Sequence, residues 1–135
     1  MIDIHSHIIS GIDDGSKNTE MTIKMLEMAE ESGTTDNVAT PHFMRGRFEV
    51  TYKEVIDEVE NLKKLAKENS ININIYSGQE VYYSRNILEY YNQGMIGTIN
   101  NTRYMLIEFP MLEFNIEGLL IHPILLEDKH GSYPS

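Results

Sequence analysis

Two histidines spaced two residues apart lie at the start of the chain, at His5 and His7 in the segment MIDIHSH. Residues two apart in a β-strand point to the same side, so this spacing presents two imidazoles to one point in space. Asp13-Asp14-Gly15 follows in a stretch with turn composition, which places carboxylates nearby in the sequence. An isolated H-x-H pair is a weak signal, because histidines at a surface or at the edge of a core share this spacing. The prediction of a metal site therefore depends on further ligands reaching the same place.

The elements that must position these residues alternate between strands and helices. Patterns of apolar and polar residues predict strands over 1–7, 34–40, 71–80 and 104–109, and helices over about 19–32, 51–69 and 85–91. Thr51 and Glu54 form the sequence signature of a capping box at the second helix. This order predicts an α/β fold of parallel β/α units, as a layered sheet or a barrel. We expect one domain over 1–128 and a polar tail over 129–135.

Each predicted strand ends in residue types that can bind a metal ion, and parallel strands gather their carboxyl ends at one edge of a sheet. Taken singly, each such residue is an ordinary exposed group, and it is their shared position that favours a site. Imidazole and carboxylate ligands suit Mn, Fe or Zn, and Glu80 can bridge two ions. Such ions generate a hydroxide nucleophile and hold phosphate oxygens, so the pattern predicts phosphoester hydrolysis. The candidate ligands are His5, His7, Asp14, His42, Glu80 and Glu108.

Composition restricts the partners that such a site could have. The 135 residues include 21 acids and 11 Lys or Arg, giving a net charge of −10 that disfavours nucleic acid and anionic membrane surfaces. This acidity favours metal cations, although it could also serve solubility alone. The chain has no Cys, so a thiolate nucleophile and a thiolate zinc site are excluded. We expect a cytoplasmic protein, because neither a signal peptide nor a membrane span is recognisable.

Four segments, DIHSHIISGIDDGSK, ATPHF, SGQEVYY and LIEFP, resemble in order the metal motifs of the PHP (polymerase and histidinol phosphatase) superfamily. The resemblance runs from Met1 to about Pro110 and is closest to the bacterial tyrosine-protein phosphatases of capsule and exopolysaccharide loci. It implies a distorted TIM-like β/α barrel that binds up to three metal ions, commonly manganese. It also implies roles for the ligands: His5 and His7 on one ion, Glu80 as a bridge, His42 and Asp14 on neighbouring ions, and Glu108 completing a further set.

The same resemblance implies a substrate and a partner. Members of the family dephosphorylate tyrosines on the autophosphorylating kinase that controls polysaccharide export. Their nucleophile is a metal-bound hydroxide, which agrees with the absence of Cys. Arg45 and Arg47, which follow His42, are tentative phosphate contacts because an Arg fork can hold phosphate through two hydrogen bonds. The interpretation that we favour is that they are ordinary exposed loop charges.

The chain departs from the family pattern after Glu108. The resemblance implies a barrel of roughly twice this length, with a later H-P-E-R motif and a D-x-H motif. His122-Pro123 resembles the first only superficially, because Ile124-Leu125 follows. We therefore expect a partial barrel of about four β/α units, whose open edge would favour a homo-oligomer. An inactive metal-binding fragment, or another PHP phosphoesterase such as a histidinol phosphatase, remains an alternative function.

Overall fold

Strands and helices alternate along the chain in a computed structural model, which describes residues 1–9, 11, 15–109 and the backbone of 119–121. The strands are β1 (Ile2–Ser6), β2 (Asp36–Ala39), β3 (His42–Phe43), β4 (Asn74–Ser77), β5 (Glu80–Tyr82), β6 (Met105–Glu108) and β7 (Leu119–Ile121). The helices are α1 (Thr19–Glu31), α2 (Tyr52–Glu68) and α3 (Ile87–Asn92), followed by a 3-10 turn at Ile99–Asn101. The predicted α/β class and the three predicted helices are confirmed.

Local capping explains where the two long helices begin. The Asn18 side chain accepts a hydrogen bond from the backbone N–H of Met21 and so caps α1. At α2 the expected capping box is present, because Thr51 accepts from the Glu54 N–H while the Glu54 side chain accepts from the Thr51 N–H. Gly33 has a φ of +93° just beyond α1, a conformation that favours glycine and ends the helix.

The strands form two sheets instead of one. β1, β2 and β4 form a parallel sheet in that order, and β3, β5, β6 and β7 form a second sheet in which β7 is antiparallel to β6. The chain passes from the first sheet to the second twice, from β2 to β3 and from β4 to β5. The strand predicted over 34–40 corresponds to β2, whereas the strand predicted over 71–80 is divided into β4 and β5.

The interruptions combine one local cause, Pro41, with contacts that form between paired strands. Pro41 has no N–H to donate to a ladder, and the Thr40 hydroxyl takes a ladder position by accepting from the Ser6 N–H at 2.9 Å. Gly78 lies so close to β2 that a Cβ there would meet Val38 Cγ1 at 3.0 Å. β2 is short, with four residues, and Asn37 breaks its apolar pattern. Asn37 is buried and accepts a hydrogen bond from the Ser6 hydroxyl at 2.6 Å.

β7 was not predicted from the sequence, because the apolar run that contains it shows no period-2 alternation. It pairs with β6 so that Met105 lies opposite Ile121. His122, His130 and the predicted tail over 129–135 lie outside the described residues. None of the helices in the described ranges is both long and apolar enough to cross a membrane.

The described side chains form two main apolar cores, one for each sheet. The first lies between β2, β4, the helices α1 and α2 and the residues that follow β1, with Leu26, Val55 and Ile75 among its most buried members. The second lies around β3, β5, β6 and α3, with Phe43, Val81 and Met105 at its centre. The candidate ligands lie where strands from the two sheets meet, so both cores support the site.

Candidate metal centre

Glu80 lies at the centre of a cluster of histidines. Its side chain is only 2% exposed, and its two oxygens are 3.0 Å from His5 Nε2 and 3.2 Å from His7 Nε2. His42 Nδ1 lies 3.1 Å from Glu80 Oε1 and 3.6 Å from Glu108 Oε1. The structure therefore brings together five of the six residues that the sequence predicts as ligands.

The five residues divide into two groups that share Glu80. One group is His5, His7 and Glu80, and the other is His42, Glu80 and Glu108. Within each group the candidate ligand atoms all lie within 4.8 Å of one another. All five residues line one cavity of about 370 Å³. Each group is compact enough to hold a metal ion, and the cavity gives access to both.

Strand register explains this convergence. His42 of β3 lies opposite Glu80 of β5, and Glu80 in turn lies opposite Leu106 of β6. Glu108 is two residues beyond Leu106 and so points to the same side of the sheet. His5 and His7 reach the cluster from β1, and their Nε2 atoms are 3.2 Å apart. His42 and Glu80 were predicted to end strands. In the structure they begin the short strands β3 and β5.

Phe48, which was not predicted from the sequence, packs beside the cluster. The rings of His7 and His42 stack with centroids 4.4 Å apart, and Phe48 stacks near His42 at 5.6 Å. A tight turn holds Phe48 there, because the Met44 N–H donates to the Phe48 carbonyl at 2.7 Å and the reverse bond is 2.8 Å. The available signal was Gly46, whose φ of +86° is typical of such a turn.

The two arginines do not line the cavity formed by the five described ligands. Arg45 pairs with Glu49 at 2.8 Å, and its guanidinium lies 5.5 Å from the centre of the Tyr90 ring. Arg47 lies over the Phe48 ring at 4.9 Å, and so is one ring removed from His42. Asp14, the sixth candidate ligand, lies outside the described residues.

The pKa of Glu80 reflects opposing influences. Burial raises it, since an ionised carboxylate is disfavoured away from water, but hydrogen bonds from His5 and His7 lower it. Together with the charges of His5 and His42, these bonds bring the pKa of Glu80 down from 4.5 to about 2. The centre therefore holds an ionised carboxylate under all conditions near neutrality, which is the form that binds a metal ion.

This lowered pKa predicts a pH dependence of the metal-free protein. Since the folded pKa lies below the ordinary value, ionised Glu80 stabilises the fold fully above pH 4.5, and this contribution is lost as the pH falls toward 2. The free energy of unfolding of the wild type and a Glu80→Gln variant should be compared by urea denaturation from pH 5 to pH 2. We expect the advantage of the wild type to shrink across that window. A constant difference would contradict the stabilising role of the ionised form.

The fold and the cluster define a class of protein. It is an α/β protein whose parallel strands bring imidazoles and carboxylates into one cavity, an arrangement typical of metal-dependent hydrolases. The sequence profile of the family described as "Capsular polysaccharide synthesis, CpsB/CapC" matches residues 1–117. The chain belongs to the CpsB/CapC family.

Individual relatives agree with this assignment. The tyrosine-protein phosphatase CpsB of Streptococcus pneumoniae is 37% identical over 111 residues, which cover 82% of this chain and 46% of CpsB. The tyrosine-protein phosphatase YwqE of Bacillus subtilis is 31% identical over 110 residues, or 82% of this chain and 43% of YwqE.

A solved structure from a crystallographic study of YwqE and CpsB, named there as metal-dependent tyrosine phosphatases, superposes with a TM-score of 0.78 at 31% identity. The match covers 82% of this chain and 44% of the solved one. The chain thus spans less than half the length of the relatives that it matches.

Proposed function

We propose that this chain carries the metal centre of a tyrosine-protein phosphatase, and that it hydrolyses phosphotyrosine by metal-dependent attack of water. The observation that carries the proposal is the buried Glu80 carboxylate, which three imidazole nitrogens approach within 3.2 Å. The relatives CpsB and YwqE, which are named tyrosine-protein phosphatases, support the choice of substrate.

The donor set fits metal ions. An ionised carboxylate with 2% exposure is costly to bury without positive charge beside it, and the three surrounding histidines offer ring nitrogens that could bind a cation. We propose that His5, His7 and Glu80 hold one ion and that His42, Glu80 and Glu108 hold a second. Bound there, such ions would lower the pKa of a water molecule and neutralise charge on a phosphate ester.

Electrostatics favour the same conclusion. Glu80 and Glu108 place negative charge in a cavity of a chain whose net charge is −10, so the metal-free site would repel a phosphate group. Cations bound between the carboxylates would reverse the local charge. The His and Glu side chains would then hold the cations, and the cations would attract the anionic substrate.

Several finer features belong to the proposal. Manganese is the proposed metal, and Asp14 is proposed as a further ligand. Arg47 is the preferred phosphate contact, because Glu49 already neutralises Arg45. The proposed protein substrate is an autophosphorylating tyrosine kinase of capsule synthesis.

The proposed fold is a partial TIM-like barrel. Its open edge would favour homo-oligomers.

A second candidate function is metal binding without turnover. It is favoured by one observation, namely that the chain spans less than half the length of CpsB and YwqE. The matched residues correspond to 46% of CpsB and 43% of YwqE. In that case His5, His7, His42, Glu80 and Glu108 would bind metal in a site that is too open to activate water.

The decisive experiment is an activity assay of the Mn²⁺-loaded protein on p-nitrophenyl phosphate and on a phosphotyrosine peptide. A His5→Ala, His7→Ala double variant serves as the control for contaminating phosphatases, and histidinol phosphate is assayed beside the tyrosyl substrates. We expect turnover that requires Mn²⁺ and falls to background in the double variant, because the first ligand group is lost.

Each outcome separates the candidates. Wild-type turnover no greater than that of the double variant would exclude the phosphatase, and retained Mn²⁺ binding would then support the silent metal-binding protein. Much faster cleavage of histidinol phosphate than of the tyrosyl substrates would assign a different phosphoesterase activity. Metal analysis showing no bound ion would exclude both proposed functions.

A further inference from the structure

Gln79, the residue before the shared ligand Glu80, is the most extensively bonded buried amide among the described residues. It is 1% exposed, so its polar atoms have no access to bulk water. Its Nε2 donates to the Val50 carbonyl at 3.0 Å and to the Met95 carbonyl at 3.4 Å. Its Oε1 accepts from the Gly97 N–H at 2.9 Å. A buried amide with three partners fixes its own backbone, because losing any partner leaves a buried polar group unsatisfied.

The partners of Gln79 belong to a rigid part of the molecule. Val50 precedes the capping residue of α2, and Met95 accepts a backbone hydrogen bond from Tyr52 at 3.0 Å. Gly97 packs directly on the Tyr52 ring, where an added Cβ would lie 2.5 Å from the ring carbons. Gln79 therefore connects β5 to the first turn of α2 and to the segment that follows α3.

The position of Gln79 determines what this connection does. Adjacent residues in an extended segment point to opposite sides, so Gln79 faces the helices while Glu80 faces the cavity. The Glu80 N–H donates to the Pro41 carbonyl at 2.9 Å, so one backbone bond already holds the shared ligand from the side of the neighbouring strand. The Gln79 amide adds a second point of attachment on the opposite side, toward the helices.

We propose that Gln79 is a positioning residue for the metal centre, which holds the Glu80 carboxylate at the place where both ligand groups meet. This inference rests on the proposed metal site and extends it to a residue outside the cavity. Its action on the metal is indirect, through the backbone that it shares with Glu80.

The test is Mn²⁺ titration of a Gln79→Met variant by calorimetry, together with the absorption spectrum of the Co²⁺-substituted protein. Methionine keeps the volume of the side chain and removes all three hydrogen bonds. We expect Mn²⁺ affinity to fall about tenfold or more, the range typical of groups that orient metal ligands, and the Co²⁺ bands to shift. Gln79→Glu keeps the acceptor for Gly97 but sets a buried oxygen against two carbonyls, so we expect a loss at least as large.

Leu62→Ala is the matched control for lost stability. Leu62 is buried in the first core, on α2, and its truncation should lower the melting temperature without changing the Mn²⁺ affinity or the Co²⁺ spectrum. If Gln79→Met and Gln79→Glu both melt lower but bind Mn²⁺ as tightly as the wild type, Gln79 is only structural and the inference is overturned. If the wild type itself binds no Mn²⁺, the proposed metal site has failed, which is a distinct result.

Discussion

Replacing Glu80 with Gln is expected to weaken Mn²⁺ binding by at least about 100-fold, beyond the usual effect of a group that merely orients a ligand. Glu80 is the one residue shared by both ligand groups, so its loss removes a ligand from each of them. Glutamine keeps the shape of the side chain but carries no charge and offers one oxygen instead of two. Both ions of the proposed site should therefore be lost together, and the proposed phosphatase activity with them.

The measurement is Mn²⁺ stoichiometry and affinity by calorimetry at pH 7.5, with Glu49→Gln as the control. Glu49 is also a carboxylate, but its side chain is 46% exposed and pairs with Arg45 away from the cavity. Its replacement should leave Mn²⁺ binding within a factor of about two, since exposed ion pairs contribute little. Glu108→Gln should weaken only the second group. A Glu80→Gln variant that binds Mn²⁺ like Glu49→Gln would contradict the shared-ligand arrangement.

The regular elements could be predicted from the sequence because their signals are local. The helix α2 shows this best, since its capping box at Thr51 and Glu54 and its apolar face lie within one segment. The interruptions of the strands were harder to predict. They depend on Thr40 meeting β1 and on Gly78 meeting β2, and such contacts exist only once the strands are paired. β7 was missed for the same reason, because its partner β6 defines it.

The candidate ligands could be predicted because the chemistry of His and Glu limits the choice and strand ends share one edge. The residues that hold these ligands in place could not be predicted from the sequence. Phe48 reaches His42 through a turn, and Gln79 reaches its partners across 18 and 29 residues of chain. Nothing in the spacing of these residues marks them, since their role arises from tertiary packing. The candidate ligands can thus be predicted from the sequence, whereas the residues that hold them in place cannot.

Replacing Phe43 with Ala is expected to lower the free energy of unfolding by about 3–5 kcal/mol, the usual cost of truncating a fully buried Phe. Phe43 is 1% exposed and lies opposite Val81 in the register of β3 and β5. Its ring also contacts Tyr90 of α3, with centroids 6.1 Å apart. Because β3 contains only two residues, backbone pairing alone cannot hold it, and the Phe43 side chain must anchor the strand. The same strand carries His42, so this core contact supports the metal centre directly.

Urea denaturation of the metal-free protein measures this effect without interference from metal binding, which would stabilise the folded state. Met28→Ala is the control, because Met28 is 67% exposed on α1 and its truncation should change stability by less than about 0.5 kcal/mol. A loss of less than about 1 kcal/mol for Phe43→Ala would mean that the second core contributes little. A full loss would instead show that the Phe43 side chain anchors the two-residue strand that carries His42.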